Sequence, residues 1–313
     1  MNQVRTIGKA VKYNRPYLCV QDNIQEKMEQ RLSTKEDYRQ RVNIVIEYIN
    51  NHLDAVIDLE KLAEISNFSK WHFQRMMKAY LGEPVGAYIM RVRVETAAKL
   101  LRYTEIPVSD IAYQVGYDVP SSLSKAFRLF YNISPNEYRN NKNYTIMKSL
   151  QVNENLNLKA PKMLTLAPKQ AIYLKLTGEY QTLDFCGAWS KLWQYVKENK
   201  LFSAGIEHIA IYHDDPKVTE AGKLRTDICL VLPKKAEPKG EIGVKTIEGG
   251  KYAMFLYQGS YDNLGAVYDT IYAKWLPESG EQLRNYHCFE KYINNPEDTA
   301  PEKLKTEIYV PIE

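Results

Sequence analysis

A pattern that occurs twice, about fifty residues apart, constrains this chain more than anything else in it. Ile57-Asp58-Leu59-Glu60-Lys61-Leu62-Ala63 leads through Asn67-Phe68 into SKWHFQRMMKAY, Ser69 to Tyr80. Ile106-Pro107-Val108-Ser109-Asp110-Ile111-Ala112 leads through Gly116-Tyr117 into PSSLSKAFRLFY, Pro120 to Tyr131. A short apolar helix, a turn and a second helix with its apolar residues on one side is the grammar of a helix-turn-helix. Arg41 to His52 predicts a helix in front of the first unit, with Val42, Val45, Ile46 and Ile49 as its stripe. Gly86 to Tyr103 predicts a long helix joining the two units, burying Ile89, Val92, Ala97, Leu100 and Leu101. Two heads in a fixed relation can enter successive major grooves from one face of double-stranded DNA.

The 313 residues leave room for a second domain with its own core. Charge separates the two. Residues 1–150 carry 22 Lys+Arg against 16 Asp+Glu, and the remainder carries 20 against 22, so the basic excess lies with the paired heads, as phosphate binding requires. No apolar run approaches the roughly 18 residues of a membrane span, and the N-terminus lacks the apolar core of a signal peptide. Cys19, Cys186, Cys229 and Cys288 stand far apart without metal-ligand spacing and read as reduced thiols. A cytoplasmic protein without membrane association, metal or cofactor is expected.

In the first reading helix the spacing buries Phe73, Met76, Met77 and Tyr80 and leaves Lys70, Trp71, Gln74, Arg75 and Lys78 outward. Gln and Arg suit bidentate contact with adenine and guanine edges, and Trp71 suits sugars or thymine methyls. In the second, Leu123, Phe127 and Phe130 point inward, leaving Ser121, Ser122 and Lys125 for the groove and Arg128 for phosphate. Serines position more than they specify, so the first head is expected to carry most of the discrimination.

Four segments are expected: a polar arm at 1–37 with a short helix over 22–32, a DNA-binding domain at 38–140, an Asn- and Lys-rich linker at 141–162, and a second domain at 163–313. The second domain has its own repeat, of period near eighty. Leu176-Thr177-Gly178-Glu179-Tyr180 returns as Tyr257-Gln258-Gly259-Ser260-Tyr261, each before an aromatic-rich helix, with Trp189 and Trp193 in one and Tyr268, Tyr272 and Trp275 in the other. Each copy ends in a strand, Arg225 to Leu230 and Lys305 to Val310. Alternation puts Thr306, Ile308 and Val310 on one side and Glu307 and Tyr309 on the other. Likewise Ile172, Leu174 and Leu176 oppose Tyr173 and Lys175, and Ile228, Leu230 and Leu232 oppose Asp227 and Cys229. Aromatic faces above a carboxylate, such as Glu307 or the Glu290 of Phe289-Glu290-Lys291-Tyr292, suit a lipophilic cation.

Arg41 to Arg139 resembles the AraC/XylS family, ending in a stretch similar to its signature, GYDVPSSLSKAFRLFYNISPNEYR. SKWHFQRMMK is most similar to the subgroup that controls multidrug and oxidative-stress resistance, with Trp71, Gln74 and Arg75 matching its base-contacting positions. Lys125 stands where that subgroup often has Arg, and Leu123 where the wider family usually has Phe. The resemblance implies a monomer that bends asymmetric promoter DNA and engages RNA polymerase. Lys169 to Glu313 resembles GyrI-like effector-binding domains through YHDDPKVTE, LRTDICLVLP, GGKYAMFLYQGSYDNL and FEKYINNPEDTAPEKLKTEIYVPIE. That family implies two pseudo-symmetric strand-helix-strand-strand units around a cleft for hydrophobic, often cationic molecules. Its acid falls on Glu290, with Glu307 behind it and Tyr309, Tyr173, Trp193 and Tyr292 as further candidates.

The expected whole is therefore an all-α double helix-turn-helix domain followed by an α+β sensor: a regulator, expected to activate resistance or stress genes under a hydrophobic cation. No nucleophile triad, phosphate loop or metal motif argues for an enzyme. The competing readings of the second domain are a small-molecule hydrolase and a protein-docking module.

Overall fold

The computed structural model describes residues 35–140, 156–284 and 286–313. Residues 1–34 of the arm, with the helix expected over 22–32 and Cys19, lie outside the described residues, as do residues 141–155 of the linker.

The first part is helical: α1 (35–51), α2 (Leu59–Ile65), α3 (Lys70–Leu81), α4 (Val85–Tyr103), α5 (Val108–Gln114), α6 (Pro120–Tyr131) and α7 (Pro135–Asn140). α2–α3 and α5–α6 are the two helix-turn-helix units. Both turns need a left-handed residue to reverse the chain, and the sequence supplies Asn67 (φ 52°) and Gly116 (φ 83°) at equivalent places. The next residue then closes each turn, Phe68 N–H onto the Ala63 carbonyl and Tyr117 N–H onto that of Ala112. Gly116 is also sterically obligatory, because a Cβ there would lie 2.1 Å from the Leu53 carbonyl oxygen. Ser69 caps α3 through its side chain and Gly82 ends it at φ 74°, while Pro120 occupies the first turn of α6.

Each unit has its own core. Phe73 and Met77 of α3 pack with Val45, Ile49 and Leu62, and Leu123 and Phe127 of α6 pack with Ala97, Ile111 and Val115. α4 serves both, presenting Tyr88 and Val92 to the first and Val94 and Leu101 to the second. One continuous 19-residue helix, roughly 28 Å long, thus fixes the relation of the two heads.

The second part is an eight-stranded antiparallel sheet: β1 (Lys162–Leu166), β2 (Lys169–Thr177), β3 (Glu207–Tyr212), β4 (Arg225–Val231), β5 (Gly243–Ile247), β6 (Gly250–Gln258), β7 (Phe289–Tyr292) and β8 (Lys305–Pro311). α8 (Phe185–Glu198) follows β2; α9 (Leu264–Thr270), a π-helical stretch over Ile271–Trp275 and α10 (Leu276–Ser279) follow β6. The strand order β1-β6-β8-β7-β3-β4-β2-β5 reads the same from either end once the two repeats are superposed: β5-β2-β4-β3 meets β1-β6-β8-β7 along the β3–β7 seam. The helices cover one face, over Ile172, Ile228 and Leu230 in the first half and Phe255, Ile308 and Val310 in the second. The opposite face has a separate core of Tyr173, Cys229, Tyr252, Phe289 and Tyr309.

The two parts exchange core residues. Val218, in the loop after β3, belongs to the core of the second helix-turn-helix. Tyr103, the last residue of α4, joins the core of the sheet part and stacks on Tyr272 at 4.7 Å. Glu47 of α1 bridges Lys175 and Lys245 at 3.0 and 2.9 Å, and both lysines face the fully buried Asp227, which also bonds His213 at 2.8 Å. Each charge in this set has an opposite partner, so removing one of them would strand a buried charge between the two parts.

Candidate functional site

On the candidate reading face of the first unit, Gln74, Arg75 and Lys78 are exposed on α3, with Phe73 and Met77 buried behind them. Met76 and Tyr80 are half-buried. Lys70 is exposed and paired with Glu60 of α2. The Trp71 side chain lies outside the described residues. On α6, Ser121, Lys125 and Arg128 are exposed and Ser122 is half-buried, above buried Leu123 and Phe127 and half-buried Phe130. The sheet part docks on α1, α4 and the end of α6, through Glu47, Asn50, Tyr88, Tyr103 and Tyr131. Gln74, Arg75 and Lys78 of α3 and Ser121, Lys125 and Arg128 of α6 remain exposed beside it.

The second candidate site follows from the sheet symmetry. β3 and β7 are the two central strands, and their register sets Ala210 opposite Glu290. These two positions are also equivalent in the repeat, eighty residues apart. One half supplies an acid and the other the smallest side chain that leaves it room. Pairing of Glu290 with Ile308 on its other side puts its carboxylate on the helix-covered face, between the two helical lobes. Glu290 is 1% exposed.

Its neighbours are aromatic and come from both repeats. Tyr292 Oη donates to Glu290 Oε2 at 2.9 Å, and the Tyr212 hydroxyl, eighty residues earlier, meets that of Tyr292 at 3.1 Å. With the carboxylate ionised the proton of Tyr292 is committed to it, so Tyr212 donates to Tyr292. Tyr261 stands edge-on to Tyr292 at 5.4 Å and Trp189 at 6.3 Å. The Tyr268 hydroxyl is buried beside the carboxylate without a well-formed hydrogen bond. Tyr212, Tyr261, Tyr268, Trp189 and Tyr292 all keep partial exposure, so aromatic side chains stand between the buried acid and solvent. Burial raises the Glu290 pKa to about 7, against the pull of Tyr292 and Tyr268. Trp193 shares His208 with Trp189, donating its indole N–H to His208 Nε2 at 3.1 Å, and stacks on Phe202 at 5.6 Å. Burial lowers the His208 pKa and keeps the ring neutral.

The six candidate ligand residues do not converge. Glu290, Tyr292 and Trp193 lie on the helix side. Glu307, Tyr309 and Tyr173 lie on the other face, because each sits one strand residue out of phase with the helix-facing set. Tyr309 Oη donates to Glu307 at 2.7 Å and packs flat on Phe289 at 4.5 Å. Glu307 also lies near Lys291, which with Lys169 binds Glu207 in a half-exposed ion-pair cluster. Tyr173 is buried, with Lys245 over its ring at 4.6 Å. These three serve packing and charge balance. Tyr212, Tyr261, Tyr268 and Trp189 were not among the candidates; the period of eighty, which pairs Tyr212 with Tyr292, is the signal that marks the first of them.

A carboxylate among aromatic rings can offer a cation both charge pairing and ring-face attraction. Among the described residues no cluster of His, Cys, Asp or Glu is arranged to hold a metal ion, and no helix is long and apolar enough to cross a membrane. Cys186, Cys229 and Cys288 are unpaired thiols.

Residues 159–313 match the family of GyrI-like small molecule binding domains, and residues 62–141 match a helix-turn-helix domain family. The transcriptional regulator Rob of Salmonella typhimurium is 26% identical over 282 residues, covering 85% of this chain and 95% of that protein. Regulatory protein SoxS of the same organism is 35% identical over 102 residues, covering 33% of this chain and 95% of SoxS. Its multiple antibiotic resistance protein MarA is 30% identical over 98 residues, covering 31% of this chain and 77% of MarA.

Proposed function

We propose that this chain, which belongs to the AraC/XylS family of DNA-binding transcription regulators and carries a GyrI-like small molecule binding domain, senses a lipophilic cation in the cleft above Glu290. One observation carries the reading: a carboxylate 1% exposed, ringed by half-exposed aromatic side chains and placed where two repeats meet. A buried carboxylate without a cationic partner is costly, and a cation in the cleft removes that cost. Lys70, Trp71, Gln74, Arg75 and Lys78 of the first head then carry base and backbone contacts, with Ser121, Ser122, Lys125 and Arg128 positioning the second. The names of Rob, a transcriptional regulator, and MarA, a multiple antibiotic resistance protein, support a regulator of resistance genes, and we take it to act as an activator, with RNA polymerase, as a monomer on promoter DNA.

The test is a thermal-shift screen of the whole chain against lipophilic cations, neutral molecules of the same shape and lipophilic anions. A ligand bound only by the folded state raises the midpoint. Shifts confined to cations are expected. Equal shifts from neutral isosteres, or none from any cation, contradict the reading.

A further inference from the structure

The two repeats carry the same loop, and the fold uses the two copies differently. After β3, Asp214 accepts the Arg225 backbone N–H at 2.7 Å; after β7, Asn294 accepts that of Lys305 at 2.8 Å. In the second copy Ile293, Asn295 to Asp298 and Lys305 are exposed. In the first, His213, Lys217, Val218, Thr219 and Arg225 are buried, Val218 and Arg225 against the helical part. Arg225 binds Asp214 in its own loop at 2.5–2.8 Å and reaches out to Asn50 of α1 at 2.9 Å and the Tyr88 hydroxyl of α4 at 2.6 Å. Asp215 takes the Tyr103 hydroxyl at 2.8 Å, and the Val218 carbonyl takes that of Tyr131 at 3.0 Å. One loop therefore grips the start and end of α4 and the end of α6.

The same loop begins at the cleft. Tyr212, whose hydroxyl meets Tyr292 beside Glu290, is the last residue of β3, two before Asp214. Tyr180 locks the junction: its ring stands edge-on to Tyr212 at 4.9 Å, and its hydroxyl donates to the Asp214 carbonyl at 2.8 Å and that of Arg225 at 3.3 Å. We propose that this loop is the transmission element of the protein: a molecule that displaces Tyr292 and Tyr212 in the cleft shifts the Asp214–Arg225 pair, and through Tyr88 and Asn50 resets α4, the rod that spaces the two DNA-reading heads. The proposal rests on the cleft being the ligand site. Its physical warrant is a contiguous chain of hydrogen bonds, joined at one point by the edge-on contact of Tyr180 with Tyr212, from one site to the element that sets the geometry of the other. The exposed second copy shows that the repeat itself does not require such burial. Nearby Glu95 of α4, bound to Arg91 at 3.0 Å, belongs to the same buried set.

The test uses the full chain, tetraphenylphosphonium as probe, and a DNA duplex selected by the chain from a random pool. In the unsubstituted protein, saturating probe is expected to change DNA affinity at least about 5-fold, in the usual range of such couplings. Tyr88→Phe and Tyr180→Phe remove one hydroxyl on either side of Arg225 and keep the rings. In both, probe affinity and ligand-free DNA affinity are expected to stay within about 2-fold while the coupling ratio falls toward one. Retention of the full ratio by both variants overturns the proposal, as does a bound probe that leaves DNA affinity untouched in the unsubstituted chain. Hydrogen exchange without any ligand gives a second readout. Tyr180→Phe is expected to speed exchange in α4 as well as in residues 213–219; unchanged α4 exchange overturns the relay. Failure of the probe to bind at all strikes instead at the cleft reading, and the exchange experiment still decides the relay.

Discussion

Replacing Glu290 by Gln separates the charge of the cleft from its shape. The side chain is 1% exposed, and Gln retains an oxygen to accept from Tyr292. Ionising Glu290 in the free protein is costly, because its pKa stands at about 7 against 4.5 for the ordinary group, which amounts to about 3 kcal/mol. A cation about 4 Å away at an effective dielectric near 20 returns about 4 kcal/mol. Glu290→Gln is therefore expected to weaken a lipophilic cation by about 2–4 kcal/mol at pH 8, roughly 30- to 1,000-fold in Kd. A neutral isostere should bind both proteins alike. At pH 5.5 the native carboxyl is mostly protonated, so the gap between the two proteins should narrow by about 30-fold. Isothermal titration of both ligands at both pH values measures all of this. Equal cation affinity at pH 8, or an equal loss for the neutral isostere, refutes the reasoning.

The DNA face yields a separable pair of expectations. Arg75→Ala should cost about 1–3 kcal/mol on a selected duplex and relax base preference, whereas Lys78→Ala should weaken all duplexes alike and flatten the salt slope by about one; equal loss on random DNA for Arg75→Ala rejects base reading. Gly116→Ala, at φ 83° and with its new Cβ against the Leu53 carbonyl, should cost at least about 2 kcal/mol in denaturant unfolding, while Asn67→Gly at the twin turn should cost under about 1 kcal/mol. The pH dependence of stability gives a further test of the buried acids. Burial raises both Glu290 and Glu95 to about 7, so the folded chain binds more protons than the unfolded one from about pH 4 to 7, and stability is lost as pH rises through that window. Asp214 and Asp227, held low by Arg225 and by Lys175 and Lys245, act oppositely and withdraw their support only in acid. His208, His213 and His287, held low by desolvation, add stability as pH rises through the same range, so the readout is the difference between the two proteins: the midpoint of the native chain relative to Glu290→Gln should decline from pH 5.5 to 8.5, and a constant difference contradicts the assignment.

The helix-turn-helix units were legible because everything that makes them is local. Asn67 and Gly116 mark the turns, Ser69 and Pro120 open the reading helices, and the periods of Phe73–Met77 and Leu123–Phe127 name their buried sides. The alternation of β2, β4 and β8 likewise told which of their residues share a face. It did not tell which face holds the cleft, because that depends on where β7 pairs, and the register of Glu290 with Ala210 and Ile308 is not written in FEKY itself. Hence Glu307, Tyr309 and Tyr173 stood with Glu290 on paper and across the sheet from it in the fold. The junction between the two parts was least legible. Arg225 meets residues 137 and 175 positions away, and no local pattern distinguishes its buried pair with Asp214 from a surface ion pair.

The most direct measurement is the number of protons released when tetraphenylphosphonium binds, from calorimetry at pH 7 in buffers of different ionisation enthalpy. A carboxyl with pKa about 7 is half protonated there, and a cation forces it to ionise. The account predicts release of about half a proton at pH 7, rising toward one near pH 6 and vanishing in Glu290→Gln. Binding with no proton release at either pH, or the same release from the Gln variant, would contradict it.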